Sequence, residues 1–336
     1  GSASGAAPAW TVCDAVNADG DAPSRTVVVI GDGSESAGLA AGADAGLFVV
    51  VDEQAYLVYR LGQGSAARTV RAPFDADAEP VRRALGLHGA VARRLSPGLA
   101  NAIEEVAPLA VPEIAGAGGA GALGMPIGTV FAVPSLDGGA EHFVALADGI
   151  APVTAVAAQM LRLAGDSSSE RVPTVSPARA AQSRVVDLPA TAHFPVAVPR
   201  LVSVADAPVI CQRWYQPPGA PAAVTALLTG HAIPGPTPVV PVGADGSGPR
   251  ADEIRVAPGT THDVRVSGMD PRSPRRHGRF LVGDTGVRYA VADDETAGVL
   301  GLGEPASAPW PILALLPAGP DLSRAAALVA HSRFEG

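Results

Sequence analysis

Two cysteines, Cys13 and Cys211, are the most reactive side chains in this sequence. They stand about two hundred residues apart, with neither a CxxC nor a Cys/His ligand spacing. Two thiolates cannot complete a four-ligand zinc site by themselves. Three fates stay open for them: a structural disulfide, two buried free thiols, or a catalytic thiol. We take the disulfide as the working expectation. It would close a very long loop, for which the chain-entropy model gives roughly 5 kcal/mol before native-state strain is subtracted. It would also require an oxidising compartment.

Other chemistry is thin. The seven histidines are His88, His142, His193, His231, His262, His277 and His331, and no two lie at helical ligand spacing. His262 and Asp263 are adjacent, but neighbours on a strand point to opposite faces, which argues against a dyad. Asp293-Asp294-Glu295 is acidic enough for a divalent cation, yet Glu304 is the one further carboxylate close by, and a solvated loop is the expectation. There is no lysine, since all 24 basic residues are arginine, so a P-loop cannot form. Gly116-Ala117-Gly118-Gly119-Ala120-Gly121 fits G-x-G-x-x-G. A dinucleotide site needs a strand before that motif and a helix after it. Pro112, Pro126 and Pro134 leave room for neither, so 116–124 reads as a linker. No G-x-S-x-G elbow occurs. No catalytic, metal or cofactor residues are assigned.

What these residues sit on is a divergent repeat. Near the end, 279–282 and 287–291 read as strands joined by Gly283-Asp284-Thr285-Gly286, a hairpin. Val299-Leu300-Gly301-Leu302 follows as an apolar turn. A helix is expected from Asp321, with Leu322, Ala325, Ala326 and Val329 on one face. Earlier, 48–51 and 56–60 form a similar pair, and Arg83-Ala84-Leu85-Gly86-Leu87 mirrors Gly298 to Leu302. Ser96-Pro97 should cap a helix over 99–106, with proline just inside the start. A second copy pairs 129–133 with 142–146, continues through a helix over 153–163, and caps 178–183 with Ser176-Pro177. A reduced copy is left with a hairpin alone, 254–256 with 264–266. Units too small to bury their own apolar face stack on one another or lean on a hub.

The expected hub is Pro-rich and β-like, including 25–30, whose continuous apolarity implies a strand covered on both faces. The domain layout is therefore a central domain of 10–47 plus 188–250, repeat 1 at 48–115, repeat 2 at 116–187, a reduced or discontinuous repeat 3 at 251–277, and repeat 4 at 278–332. The fold class is α+β. Gly 39 and Pro 32 make about a fifth of the chain, which favours many short elements. A net charge of -9 without a basic face argues against nucleic acid or anionic membrane as partner. The basic run 271–279 is the exception and reads as a solvated loop, with contact to an acidic partner as the alternative. No window of about 18 apolar residues is present. Gly1-Ser2 resembles a tag-cleavage scar, so the natural protein is expected to begin earlier, with its targeting segment there.

Trp10-Thr11-Val12-Cys13 with Val209-Ile210-Cys211, the drifting repeats, and the stretch PILALLPAGPDLS at 311–323 together resemble the EccB family, a membrane core component of type VII (ESX) secretion machinery. The resemblance implies a cytoplasmic N-terminus, one transmembrane helix missing from this chain, and an elongated extracytoplasmic domain. That domain would have a disulfide-linked centre surrounded by four β-β-α modules. It further implies self-association and assembly with EccC, EccD and EccE, near the protease MycP. The function expected is an oligomerising scaffold. Two alternatives remain: a cell-wall (peptidoglycan) binding module, disfavoured by so few aromatics (Trp 3, Tyr 4, Phe 7), and the ATPase label attached to the family, for which no motif is found.

Overall fold

The computed structural model describes residues 7–16, 23–32, 39, 42, 44–64, 67–136, 138–165, 171–217, 219–220, 222–241, 250–268 and 278–328. It is α+β, with much sheet and short helices. Two antiparallel strands open it, β1 (Ala9–Val16) and β2 (Pro23–Gly31). A three-stranded meander follows: β3 (Ala45–Val51), β4 (Gln54–Leu61) and β5 (Arg68–Pro73). Next come α1 (Glu79–Ala84), β6 (Arg93–Arg94) parallel to β3, α2 (Pro97–Asn101), and β7 (Glu104–Glu105) parallel to β5.

The same order then recurs. A second meander is β8 (Val130–Pro134), β9 (Ala140–Ala145) and β10 (Ile150–Val153). After it, α3 (Ala155–Ala164) leads to Thr174, which bridges parallel to β8. Then α4 (Pro177–Ala180) leads to Val185, parallel to β10. The chain returns through β11 (Arg200–Leu201), β12 (Val209–Tyr215), β13 (Val224–Gly230) and β14 (Glu253–Val256). A third meander is β15 (Thr261–Ser267), β16 (Arg279–Gly283) and β17 (Arg288–Val291). It continues with α5 (Asp294–Val299), β18 (Ala306–Pro309) parallel to β15, α6 (Trp310–Leu313), and Ala318 parallel to Arg288. The one-turn α7 (Arg324–Ala327) ends the described chain.

Three copies of one plan are thus present among the described residues: meander, helix, strand parallel to the first, one-turn helix, strand parallel to the third. Twelve residues separate Arg93 from Glu105, and twelve separate Ala306 from Ala318. Pro173 to Val185 span the same twelve, because Thr174 pairs one residue further along its sheet. The mirrored turns are one structure. Leu87 N–H donates to Arg82 C=O and Leu302 N–H to Ala297 C=O, with Gly86 and Gly301 each at φ 68°. This is a helix end closed by a residue in the left-handed region, where glycine carries no Cβ penalty.

The pairing corrects several expectations. The unit has three strands and two helices, where the expected β-β-α module has a hairpin and one helix; the second helix is expected from sequence only in the middle copy. The expected hairpin between 254–256 and 264–266 does not form. β14 instead adds parallel to β2 in the central sheet, and β15 pairs with β16 and β18. So 251–277 has no sheet of its own among its described residues, and the last copy starts at β15 and not at 278. The hub gains β14, giving the order β13-β12-β1-β2-β14. It loses the start of 188–250: Phe194 packs into the core of the first copy and β11 pairs with β3. Leu322 N–H is held by Ala290 C=O, so the final helix starts two residues late and is capped by Ser323, not Asp321. Asp293 accepts from Thr296 N–H at 2.7 Å, which makes the acidic triplet a helix start and not a loop.

Four cores result. The largest joins one face of the central sheet (Trp10, Val12, Ile30, Trp214) to the inner faces of the first and last copies. Cys13, Val27, Val29, Cys211 and Leu228 form a small core on the opposite face of that sheet. β1 is buried along all eight residues, and 26–30 are buried within β2, as the continuous apolar runs require. The outer face of the first copy forms a third core with α3 of the middle copy. The inner face of the middle copy closes on itself as the fourth.

Candidate functional site

The residues singled out for chemistry do not converge. Cys13 and Cys211 face each other across β1 and β12, with Cα atoms 4.0 Å apart, and are disulfide-bonded. His193 lies with Nε2 3.1 Å from the Pro108 carbonyl. His262 is buried on β15 while its neighbour Asp263 binds Arg279 on the other side. His277, His331 and residues 271–277 of the basic run lie outside the described residues. Arg279, the last of that run, is held by Asp263 at 2.9 and 2.6 Å. No three His, Cys, Asp or Glu among the described residues are grouped to hold a metal ion.

The glycine-rich stretch is an ordered turn. Gly118 N–H donates to Ile127 C=O, Ile127 N–H to Gly119 C=O, and Gly121 N–H to Met125 C=O. A Cβ on Gly121 would stand 2.8 Å from the Met125 oxygen, so the backbones approach too closely for a side chain. The expected linker therefore acts as a lid. Ala122, Leu123 and Met125 pack on the core of the middle copy, and Arg179 donates to the Leu123 carbonyl at 2.7 Å.

What does converge is a polar joint under the central sheet. Asp14, 1% exposed, accepts from Ser96 N–H and Ser96 Oγ, each at 2.7 Å, and from Thr26 Oγ1 at 3.0 Å. Ser96 Oγ in turn accepts from Leu99 N–H and starts α2. One carboxylate thereby fixes the first copy to β1 and β2. Burial pushes the Asp14 pKa up to about 6, outweighing the hydrogen bonds and the nearby Arg93 charge that pull it down. Arg93 is itself buried, donates to the Ala207 carbonyl at 3.0 Å, and is pushed down to about 10 by desolvation. Beside the joint, α2 of the first copy meets α6 of the last. A Cβ on Gly98 would lie 3.2 Å from Leu315 and 3.3 Å from Thr26, so glycine permits the three-way contact. Outside it, Pro97, Asn101, Trp310, Pro311, Ala314 and Leu315 line a groove of about 400 Å³.

Sequence reasoning took Ser96 only as a cap and missed Asp14 and Arg93. The available signal was a lone carboxylate inside the otherwise apolar run WTVCDAV. A second missed feature is an arginine stacked on an aromatic ring at equivalent positions of two copies. Arg71 lies 5.0 Å from the Tyr56 ring, and Arg288 lies 5.7 Å from Phe280 and 5.2 Å from Trp310. Each stack lies within its own copy, between its second and third strands or its one-turn helix, and is worth about 1 kcal/mol.

The described residues thus form three related lobes, of which the first and last are built onto one cross-linked sheet, and the comparisons give the family. A family model described as type VII secretion system ESX-1, transport TM domain B (EccB), matches residues 1–334, and the chain belongs to this family. The ESX-3 secretion system ATPase EccB3 of Mycolicibacterium smegmatis is 36% identical over 346 residues, covering 96% of this chain and 64% of that protein. The ESX-5 secretion system ATPase EccB5 of Mycobacterium tuberculosis is 33% identical over 349 residues, covering 97% and 66%. The chain thus spans somewhat less than two thirds of these relatives. Among solved structures, the periplasmic assembly of an ESX-5 inner membrane complex superposes with a TM-score of 0.78 at 28% identity, covering 100% of this chain and 82% of that one. The EccB3 dimer of an ESX-3 core complex gives 0.78 at 31% identity, covering 98% and 84%. No described helix is long and apolar enough to cross a membrane.

Proposed function

We propose that this chain is the extracytoplasmic scaffold domain of a type VII secretion membrane complex, acting by self-association and by contact with other core components. A transmembrane helix ahead of the chain would anchor it, EccC, EccD and EccE would be its neighbours in the membrane, and MycP would lie close by. The observation that carries this is the shared core. The first and last copies are both built into the central sheet through α2, α6 and the Asp14 joint. A body assembled this way holds its outer surfaces at fixed positions, which a scaffold requires. The likeness to a periplasmic assembly over the whole chain supports the same reading. The disulfide and the modular division are part of the proposal: one cross-linked centre with three lobes.

The test is light scattering and native electrophoresis of the chain with and without its membrane anchor. The scaffold reading expects the anchored form to join a large membrane complex and the loss of that complex when the anchored chain is deleted. A complex that forms normally without it overturns the reading. ATP hydrolysis that persists through purification and is abolished by a single substitution in this chain would replace it with an enzymatic one.

A further inference from the structure

The outer faces of the first and last copies are equivalent surfaces with different covers. In the first, Leu57, Val70, Leu85 and Leu87 are fully buried. The cover is α3 of the middle copy, which brings Val156, Ala157 and Met160 into the same core. In the last copy the shared turn geometry puts Leu300 where the first has Leu85, and Val299 where it has Ala84. Ala84 is 1% exposed, whereas Val299 is 83% and Leu300 44% exposed. The turn does not need apolar residues at these two places, because Gly301 supplies the left-handed conformation.

The rest of that outer face is mixed: Leu281 and Val287, which stand where the first copy has Leu57 and Val70, are half-buried. Asp263 and Arg279 form a bidentate pair where the first copy has Phe48 and Ala55. The most exposed apolar side chains of this face are therefore at the α5 end, Val299 and Leu300. That end is bordered by acid, since Asp293, Asp294 and Glu295 are all exposed in the first turn. Arg279 feels the charge of Asp294 but is already committed to Asp263.

We propose that the α5 end of the last copy is a docking surface for a helix of another polypeptide. That helix would present small apolar side chains on one face, as α3 does, and basic side chains beside them. The proposal deepens the scaffold reading and rests on it. A second copy of this chain fits poorly. Its α3 is already buried, and a six-residue helix is only about 9 Å long. Two α5 ends would therefore bring their acidic turns within about one screening length of each other however they met.

The test titrates the intact chain with a synthetic peptide of residues 154–165 as helix probe and maps contacts by hydrogen exchange. Saturable binding is expected, with protection over 294–302. A Gln159→Arg peptide should bind more tightly than a Gln159→Glu peptide. Val299→Asp with Leu300→Asp should weaken binding about tenfold or more while the melting temperature holds, because both side chains are solvent-facing. No binding, binding indifferent to the two substitutions, or protection over 81–87 instead overturns the proposal. So does a concentration-dependent dimer that the double variant abolishes, which would assign the surface to a second copy. Assembly of the anchored wild-type chain into its membrane complex is measured alongside. Normal assembly without peptide binding removes the docking site and leaves the scaffold reading standing, whereas failure of assembly removes the scaffold reading itself.

Discussion

The middle copy and its two siblings have the same connectivity and opposite solutions for the same face. In the first and last copies the inner face lies against the central sheet, and arginine occupies the first position of the third-strand contact, Arg71 and Arg288. In the middle copy the equivalent residue is Ile150, 1% exposed. Phe143 stands where the siblings have Tyr56 and Phe280, and it stacks on Phe131 at 5.7 Å. The glycine-rich turn at 116–124 then covers that face from within the copy. A lobe that docks can place a cation at the rim of a shared core, where an aromatic face and backbone oxygens receive it. A lobe that closes on itself has no such rim and must fill the position with hydrocarbon. Topology is common to all three, and the neighbour decides the residue.

The largest effect should come from the cross-link. Reduction, or Cys13→Ser with Cys211→Ser, releases a loop of 198 residues and should cost about 5 kcal/mol by the chain-entropy model. If the middle copy is an independent core, its amides over 130–153 keep their exchange protection while those of β1 and β12 lose theirs. Uniform loss would make the three copies one cooperative unit and break the contrast. Next, Phe131→Ala should cost about 3–5 kcal/mol and Leu99→Ala about 2–5 kcal/mol, both side chains being fully buried. Denaturation followed by exchange should confine the first loss to the middle copy and spread the second through the central sheet.

Asp14 gives a smaller, pH-dependent effect. Its pKa in the folded chain is about 6, above the unfolded value of 3.8. The folded state therefore holds the proton more tightly, and stability falls as pH rises between these values. The contribution is fully present below about 3.8, declines through the window, and is gone above about 6, a total of about 3 kcal/mol. Asp14→Asn, neutral throughout, should flatten that slope in urea midpoints measured from pH 4 to pH 7, relative to the parent chain. The smallest effect is that of the arginine stack. Arg288→Leu should cost about 1 kcal/mol and loosen the last copy alone, seen as faster exchange across β16 and β17. An equal effect in all three copies would show that the stack does not mark docking.

Local signals were legible in the chain. Gly86 and Gly301 marked their turns, though not the helices α1 and α5 that they end; Ser96-Pro97 and Ser176-Pro177 announced their helix starts, and the apolar run at 25–30 its double burial. The third strand was not legible in the first two copies, because Arg68–Pro73 is mixed in polarity and Ile150–Val153 is only four residues long. In the last copy 287–291 read as a strand, and it was the first strand, β15, that was assigned to another hairpin. β14 and β15 looked like one hairpin because both are short β-branched runs around Pro258-Gly259, and only the competing edges of β2 and β16 separate them. The candidate site was half readable. The cysteines stood out by type, while Asp14 and Arg93 did not, since nothing in their own neighbourhood says that a serine eighty residues away will satisfy one of them.

The sequence by itself determined several helix starts and strand runs, which turns need glycine, and that no lysine-dependent phosphate grip can exist, because these depend on residue type and on neighbours a few positions away. Tertiary structure alone decided which sheet each strand joins, which lobes share a core, and where a buried carboxylate is tolerated. Those outcomes rest on contacts between distant segments, and the free energy of burial depends on what lies on the far side of a surface, not on the residues that make it.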